Sequence, residues 1–249
     1  MSTIQNQNNN NAISATINEF PKNSYHQNTI HKKNPFKISI KLDYSNKKPF
    51  QFFIKRFIEV NGTLLGLVLL SPLLITIAAA IKLNSRGPVF FKQKRIGKHG
   101  KEFFMYKFRS METDAEAKLE ELKKYNESNE LMFKMFDDPR ITKVGKFLRK
   151  YSLDELPQLF NVLKGDMSLV GFRPPLPSEV EEYKDLYYAR FAMLPGLTGP
   201  WQVSGRSTIK SFNKVIKLEY EYIKNWSLFQ DIKILFKTIP VVLLGKDTA

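Results

Sequence analysis

Two adjacent carboxylates, Asp154 and Glu155, stand in the run Ser152-Leu153-Asp154-Glu155. Carboxylates serve as nucleophiles, proton carriers or metal ligands. The Ser-x-x-Glu spacing is that of a capping box and predicts a helix from here to about Leu163. A helix start also favours anions, through its free N–H groups and its dipole. Adjacent helical positions point about 100° apart, so on the residues alone the pair reads as helix capping. The other candidates are basic residues beside glycine and proline turns: Lys107-Phe108-Arg109, Gly171-Phe172-Arg173-Pro174-Pro175 and Gly205-Arg206. Guanidinium forks match phosphate oxygens, and rigid turns fix their direction. Most basic side chains are only surface charge, so these turn-held ones are preferred over the scattered lysines.

Composition narrows the chemistry. The chain has no cysteine and three histidines, His26, His31 and His99. Disulfides, thiolate metal sites and cysteine nucleophiles are excluded, and a Ser-His-Asp hydrolase is disfavoured. Any nucleophile, acid or base is then a carboxylate, hydroxyl or amine. Lys and Arg number 39 against 24 Asp and Glu, a net charge of +15. That surplus points to an anionic partner: nucleic acid, acidic lipid or a phosphorylated substrate. No Walker A pattern, dinucleotide fingerprint, zinc spacing or nucleic-acid reader motif occurs.

Elements must position these residues. The 249-residue chain divides into a polar tail over 1–45, a membrane-associated segment over 46–86 and a catalytic part over 87–249. The tail opens with an Asn/Gln-rich run, too polar to bury a core. From Val60 to Ile81 no residue is charged; such a helix is about 33 Å long, close to a bilayer's hydrocarbon thickness. Ser71-Pro72 lies in its middle, where proline is expected to kink or break the helix. Both flanks are rich in lysine and arginine. Basic flanks prefer the cytoplasmic side, and only a re-entrant hairpin keeps both there. Length favours a kinked spanning helix; the residues leave both readings open.

Downstream, Pro88–Phe91 and Glu102–Phe108 are expected to be short strands around a turn at Gly97–Gly100. Helices are expected over Thr113–Phe136, Ser178–Met193 and Ile209–Trp226. Phe229 to Ile239 repeats apolar residues at helical spacing, with Lys233 and Lys237 off the stripe. Such a helix suits a membrane interface or a plain core-facing position.

Ordered motifs run through the chain: Lys55-Arg56-Phe57, Ser71-Pro72, Gly87 to Gln93, Tyr106 to Met111, Ser152 to Ser168, Gly171-Phe172-Arg173-Pro174, Pro195 to Gly199, and Trp201 to Arg206. Over about residues 50–245 the chain resembles the bacterial sugar transferases, the monotopic phosphoglycosyl transferases. The resemblance implies an α-rich α/β membrane-associated domain. It has a re-entrant helix hairpin broken at Ser71-Pro72, interfacial amphipathic helices and few short strands. It implies transfer of a sugar-1-phosphate from a UDP-sugar to polyprenyl (undecaprenyl) phosphate, with UMP released. This is the first membrane step of exopolysaccharide, capsule or O-antigen type synthesis. Asp154 matches the nucleophile that forms a phosphosugar–aspartate intermediate, and Glu155 is its partner. Mg²⁺ is the implied cofactor, with Asp154 and Glu155 on the metal side. Lys107, Arg109, Arg173 and Arg206 are expected to hold phosphates.

The implied location is the bacterial inner membrane, with the catalytic part on the cytoplasmic face. The implied partners are donor, acceptor and membrane lipid, without nucleic acid; a homo-oligomer stays open. Two positions depart from the family pattern. Leu194 stands where some relatives carry a basic residue, and Phe172 replaces a proline before Arg173. Larger members carry a multi-helix membrane region in place of the polar tail, so this chain reads as a short form. The competing reading is a non-catalytic, membrane-anchored basic adaptor of envelope polymer assembly.

Overall fold

The computed structural model describes residues 35–43, 45, 48–126, 135 and 137–244. Most of the expected polar tail lies outside these residues, but its end does not. The compact unit begins at Pro35, and a short helix, α1 (Lys37–Lys41), docks on the catalytic part. Phe36 packs edge-on against Tyr188 and Phe191, with ring centroids 5.2 Å apart in each case. Asp43 accepts from Lys98 Nζ at 2.8 Å and pairs with His99 Nε2 at 3.0 Å. Burial opposes the Asp43 charge, but Lys98 and Ser45 outweigh it and hold its carboxyl at about 2. Phe36 and Leu42 are the apolar residues that draw this stretch onto the core.

Helix α2 (Pro49–Asn84) is long and apolar enough to cross a membrane, by length and composition. Pro49 sits in its first turn, where a missing N–H breaks no helical bond. The helical backbone continues across Pro72 without interruption. Pro72 cannot donate to the Val68 carbonyl, and the Ser71 hydroxyl donates to it instead, at 2.8 Å. In lipid this repair matters, because no water reaches the orphaned oxygen. Both ends of α2 are anchored. Near the start, Lys55 bridges Glu59 at 3.0 Å and Asp231 at 2.5 Å, all buried. Near the end, Ile77 and Ile81 pack with Phe108 and Leu148. Residues between these anchors, such as Leu65, Val68 and Leu69, face outward.

Strand β1 runs over Phe90–Ile96, later and longer than the expected Pro88–Phe91, and pairs across the expected turn with β2 (Glu102–Phe108), with Phe90 opposite Phe108 and Ile96 opposite Glu102. The helix expected over Thr113–Phe136 does not form in its described part. Residues 113–118 are turns, and only α3 (Leu119–Leu122) is α-helical, followed by a 3₁₀ turn at Lys123–Tyr125. Helix α3 has no buried residue, and short helices without a packed face are marginal. Residues 127–134 and 136 of that expected helix lie outside the described residues.

Helices α4 (Lys143–Lys150) and α5 (Gln158–Lys164) follow, separated by the carboxylate pair. Strand β3 (Ser168–Val170) then pairs in parallel with β4 (Gly196–Thr198). Between its strands lie α6 (Pro177–Glu181) and a 3₁₀ stretch Asp185–Ala192, in place of the single helix expected over Ser178–Met193. Backbones cross tightly here. A Cβ on Gly171 would overlap the Leu194 carbonyl, and one on Gly199 would overlap the Gly171 carbonyl.

Helix α7 (Pro200–Val203), a turn at Arg206–Thr208, α8 (Phe212–Lys224) and α9 (Leu228–Leu244) complete the chain. α9 leaves Phe229, Phe236 and Leu243 exposed and buries Asp231 and Ile234. The fold is thus helix-rich, with two small two-stranded sheets among the described residues.

Candidate active site

Asp154 and Glu155 lie in a 3₁₀ turn, Leu153–Glu155, and not inside a capped helix. Ser152 adopts a left-handed conformation (φ 54°) and makes no side-chain cap. Pro157 explains this: it has no N–H to bond the Leu153 carbonyl, so the regular helix starts only at Gln158. The turn leaves the two carboxylates under different surroundings. Asp154 is 6% exposed, whereas the Glu155 side chain is 35% exposed.

Four basic side chains converge on the pair. Lys107, at the end of β2, donates to Glu155 Oε1 at 2.6 Å. Arg149, from the last turn of α4, donates through Nε to Ser110 Oγ at 3.0 Å and attracts both carboxylates. Arg206 reaches the Ser152 hydroxyl at 3.5 Å and attracts Glu155, as does Arg173. The result is asymmetric. Burial pushes the Asp154 carboxyl up, and Glu155 beside it adds to the rise against the pull of Lys107 and Arg149. Burial also opposes the Glu155 charge, but Lys107, Arg206 and Arg173 outweigh it and hold that carboxyl below its usual range.

Buried supports fix these groups. The Asn161 amide donates to the Phe104 carbonyl at 2.7 Å and accepts from the Tyr106 N–H at 3.0 Å. It thereby clamps β2 to α5 and sets Lys107 opposite Glu155. Arg56 donates to the Val162 and Leu163 carbonyls at 2.6 and 2.9 Å. These are carbonyls of the last turn of α5, so α2 is tied to the helix behind the carboxylates. Arg173 is held by Glu179 at 3.0 Å. Its carbonyl accepts from Arg190, which is buried against Glu219 at 2.8 Å and over the Phe172 and Phe212 rings. Arg95 lies under the same loop, donating to the Pro174 carbonyl at 2.9 Å. Burial and the nearby Arg173 charge pull its pKa down to about 9.

The structure therefore gathers Asp154, Glu155, Lys107, Arg173 and Arg206 in one place. Arg109 is not brought into this group. Its buried guanidinium donates to the Ser85 and Arg86 carbonyls at 2.8 and 3.0 Å, closing the end of α2. Ser71 and Pro72 lie on the outward middle of α2. Arg149, Arg95 and Asn161 were missed by the sequence reading. Arg149 sits one residue past Leu148 in a run of lysines, and only the fold separates it from them.

A magnesium ion fits the donor set in a limited way. Mg²⁺ is commonly held by one or two carboxylates plus substrate phosphates. Asp154 and Glu155 offer two hard oxygen donors side by side. No group of three or more His, Asp or Glu that could hold a metal occurs among the described residues. The remaining ligands would have to come from a bound diphosphate and water.

The family model for bacterial sugar transferases matches residues 50–245. The chain belongs to the bacterial sugar transferase family. It is 48% identical over 206 residues to the galactosyl transferase CpsE of Streptococcus agalactiae serotype III, covering 82% of this chain and 46% of that protein. It is 41% identical over 205 residues to the exopolysaccharide production protein ExoY of Rhizobium meliloti, covering 81% of this chain and 90% of that protein. It is 42% identical over 193 residues to the UDP-glucose:undecaprenyl-phosphate glucose-1-phosphate transferase of Escherichia coli K12, covering 75% and 39%. The chain thus spans less than half the length of CpsE and of the E. coli protein, and most of ExoY. In this bacterial sugar transferase the matched region takes in the whole carboxylate site and both anchors of α2.

Proposed function

We propose that this chain transfers a sugar-1-phosphate from a UDP-sugar to a polyprenyl phosphate at the cytoplasmic face of the inner membrane, releasing UMP. The observation that carries the reading is the buried Asp154 carboxylate beside Glu155, ringed by Lys107, Arg149, Arg173 and Arg206. Relatives named for galactosyl and for glucose-1-phosphate transfer support a hexose donor.

In the first step an Asp154 oxygen attacks the sugar-bearing phosphorus. The bond from that phosphorus to the bridging oxygen breaks, and UMP leaves with the electron pair. In the second step a polyprenyl phosphate oxygen attacks the same phosphorus and expels the Asp154 carboxylate, giving the polyprenyl diphosphate sugar. A carboxylate is a weak nucleophile, so positioning and charge neutralisation supply most of the rate. Lys107, Arg206 and Arg173 face the carboxylates and bind the diphosphate oxygens. Glu155, held ionised by them, receives the acceptor phosphate's remaining proton. A magnesium ion held by Asp154 and Glu155 would neutralise diphosphate charge. Arg109 and Arg149 act differently: the first fixes the end of α2, and the second attracts both carboxylates from α4.

We also propose that α2 is re-entrant. Its two anchors, at Lys55–Glu59 and at Ile77–Ile81, dock on the same compact unit. About 27 Å of helix separates Glu59 from Ile77 at 1.5 Å per residue, no more than a bilayer's roughly 30 Å core, so a straight span would leave neither anchor clear of lipid. A helix bent near Ser71-Pro72 dips its apolar middle into one leaflet and returns both ends to the catalytic side. The exposed apolar residues of α9 then lie at the same interface.

The test is UMP release from a panel of UDP-sugars, with purified protein and polyprenyl phosphate. Release by the wild type and none by Asp154→Asn supports the reading. Undiminished release by that variant removes Asp154 as nucleophile, and no release with any donor favours the adaptor.

A further inference from the structure

The loop that carries Arg173 is stitched to the end of β1 by a side chain that the transfer steps leave unused. Arg95, on β1, donates through Nη1 to the Pro174 carbonyl at 2.9 Å and through Nη2 to the Gln93 amide oxygen. The next residue, Ile96, donates its N–H to the Pro175 carbonyl at 3.0 Å. Both acceptors of the Arg95 side chain are neutral. Among the described residues Arg95 forms no ion pair, and its buried Nε–H finds no acceptor. Three neighbouring cations differ: Lys107 pairs with Glu155, Arg173 with Glu179 and Arg190 with Glu219. Burying a charge without an opposite one is costly. A neutral amide could donate to the Pro174 carbonyl at lower cost, so that bond alone does not account for an arginine here.

The charges around Glu179 supply the second observation. Its carboxylate holds Arg173 at 3.0 Å and accepts from the Leu176 N–H at 3.2 Å. Burial opposes the Glu179 charge, but Arg173 and Arg95 outweigh it and hold that carboxyl below its usual range. Arg173 and Glu179 by themselves form a neutral pair, which draws an anion only as a dipole. With Arg95 there are two guanidinium groups against one carboxylate, a surplus of one positive charge. The surplus reaches the reaction site, because Arg95 and Arg173 both attract Glu155. Glu155 is already bonded to Lys107, so the surplus is left for an anion that enters from outside.

We propose that Arg95 positions the donor diphosphate through its charge: it offsets Glu179, so that Arg173 meets the phosphate oxygens as an uncompensated cation. The proposal rests on the reading in which a nucleoside diphosphate sugar binds at the carboxylate turn. Arg95 is a positioning residue. It lies beneath the loop over 171–175, touches no substrate atom and acts on the diphosphate through Arg173. The bound donor supplies the anion that the buried group lacks. The cost of holding this charge in place is met during folding, before substrate arrives, so that no reorganisation is needed on binding.

Charge and hydrogen bonding are separated by three variants of the full chain in lipid nanodiscs. Arg95→Gln keeps a donor for the Pro174 carbonyl and loses the charge. Arg95→Lys keeps the charge. Arg95→Gln combined with Glu179→Gln removes one charge of each sign and restores the surplus. UDP affinity is measured by calorimetry, and kcat and KM by UMP release from the donor that the wild type uses. The expected result for Arg95→Gln is a loss of about tenfold in UDP affinity. Its donor KM rises by a similar factor with kcat little changed, the mark of lost ground-state binding. Arg95→Lys binds UDP within about threefold of wild type, and the double variant binds it more tightly than Arg95→Gln. Wild-type affinity in Arg95→Gln overturns the proposal. So does a double variant weaker than Arg95→Gln, since losses that add are those of a loop held only by its bonds. A fall in kcat with KM and UDP affinity unchanged overturns it as well. In all three cases the donor reading stands. A wild type that neither binds UDP nor releases UMP from any donor overturns both.

Discussion

Lys107→Met removes one positive charge from the carboxylate turn and keeps most of the side chain's apolar length. Lys107 Nζ lies 2.6 Å from Glu155 Oε1, with the two side chains 23% and 35% exposed. Unit charges about 4 Å apart interact by about 4 kcal/mol at an effective dielectric near 20. Partial exposure screens this, leaving about 1–2 kcal/mol. At about 1.4 kcal/mol per pKa unit, the carboxylate pair should titrate about one unit higher in the variant. Lys107 is the strongest of the nearby charges holding Asp154 and Glu155 down, so both members move upward. Asp154 must be ionised to attack, so the acid limb of kcat/KM should shift to higher pH by about one unit. The loss of a phosphate contact lowers the plateau by about 10²–10³-fold in addition.

Stability carries the same signature with a defined sign. The Glu155 carboxyl is lowered in the folded state. Its contribution is therefore present above the unfolded value of about 4.3 and is lost as pH falls through the lower folded value. Melting temperatures of wild type and variant should differ at pH 7, draw together as pH falls below about 4.3, and converge only beneath the lowered Glu155 value. Rates and melts measured across that range decide the matter. An unshifted acid limb together with a melting difference that persists at low pH would refute the electrostatic coupling of Lys107 to the pair.

Other consequences can be checked separately. Asp231→Ala leaves the buried Lys55 ammonium with Glu59 and the Val170 carbonyl and strips partners from Tyr222 and Trp226; thermal or denaturant unfolding should show a loss of about 3 kcal/mol. Gly171→Ala forces a methyl group onto the Leu194 carbonyl, and the unfolding midpoint should fall by an amount equivalent to at least about 1–3 kcal/mol. Removing the bend with Pro72→Leu and Ser71→Ala should favour a straight helix. Impermeant thiol labelling of single cysteines at Ser45 and Gly97 in intact cells then changes from protection of both in the parent to exposure of one in the variant. Labelling of one site already in the parent would show a spanning helix instead.

The hairpin of β1 and β2 was legible because alternating aromatic strands flank a Gly-Lys turn, and α2 because a charge-free run is hard to mistake. The carboxylates and three of the four basic candidates were legible as ordered motifs. What escaped were features that exist only across long sequence distances. Arg149 differs from Lys146 and Lys150 by the direction it faces, which sequence does not record. Asn161 is an ordinary helix residue until β2 lies against it. The pairing of β3 with β4 depends on glycine crossings whose partners are more than twenty residues away in the chain. Local rules also misled where a single residue overrode them. Pro157 cancels the capping box at Ser152, and Phe36 with Asp43 docks a stretch that composition assigns to a polar tail.

The central claim is that the Asp154 carboxylate carries the sugar phosphate between donor and lipid. Intact and peptide mass spectrometry after incubation with a UDP-sugar alone tests it most directly. The expected result is a gain of one hexosyl phosphate on the peptide containing Asp154, lost when polyprenyl phosphate is added and absent in Asp154→Asn. Product formation with no adduct at any time, and with the Asp154→Asn variant still active, would contradict it.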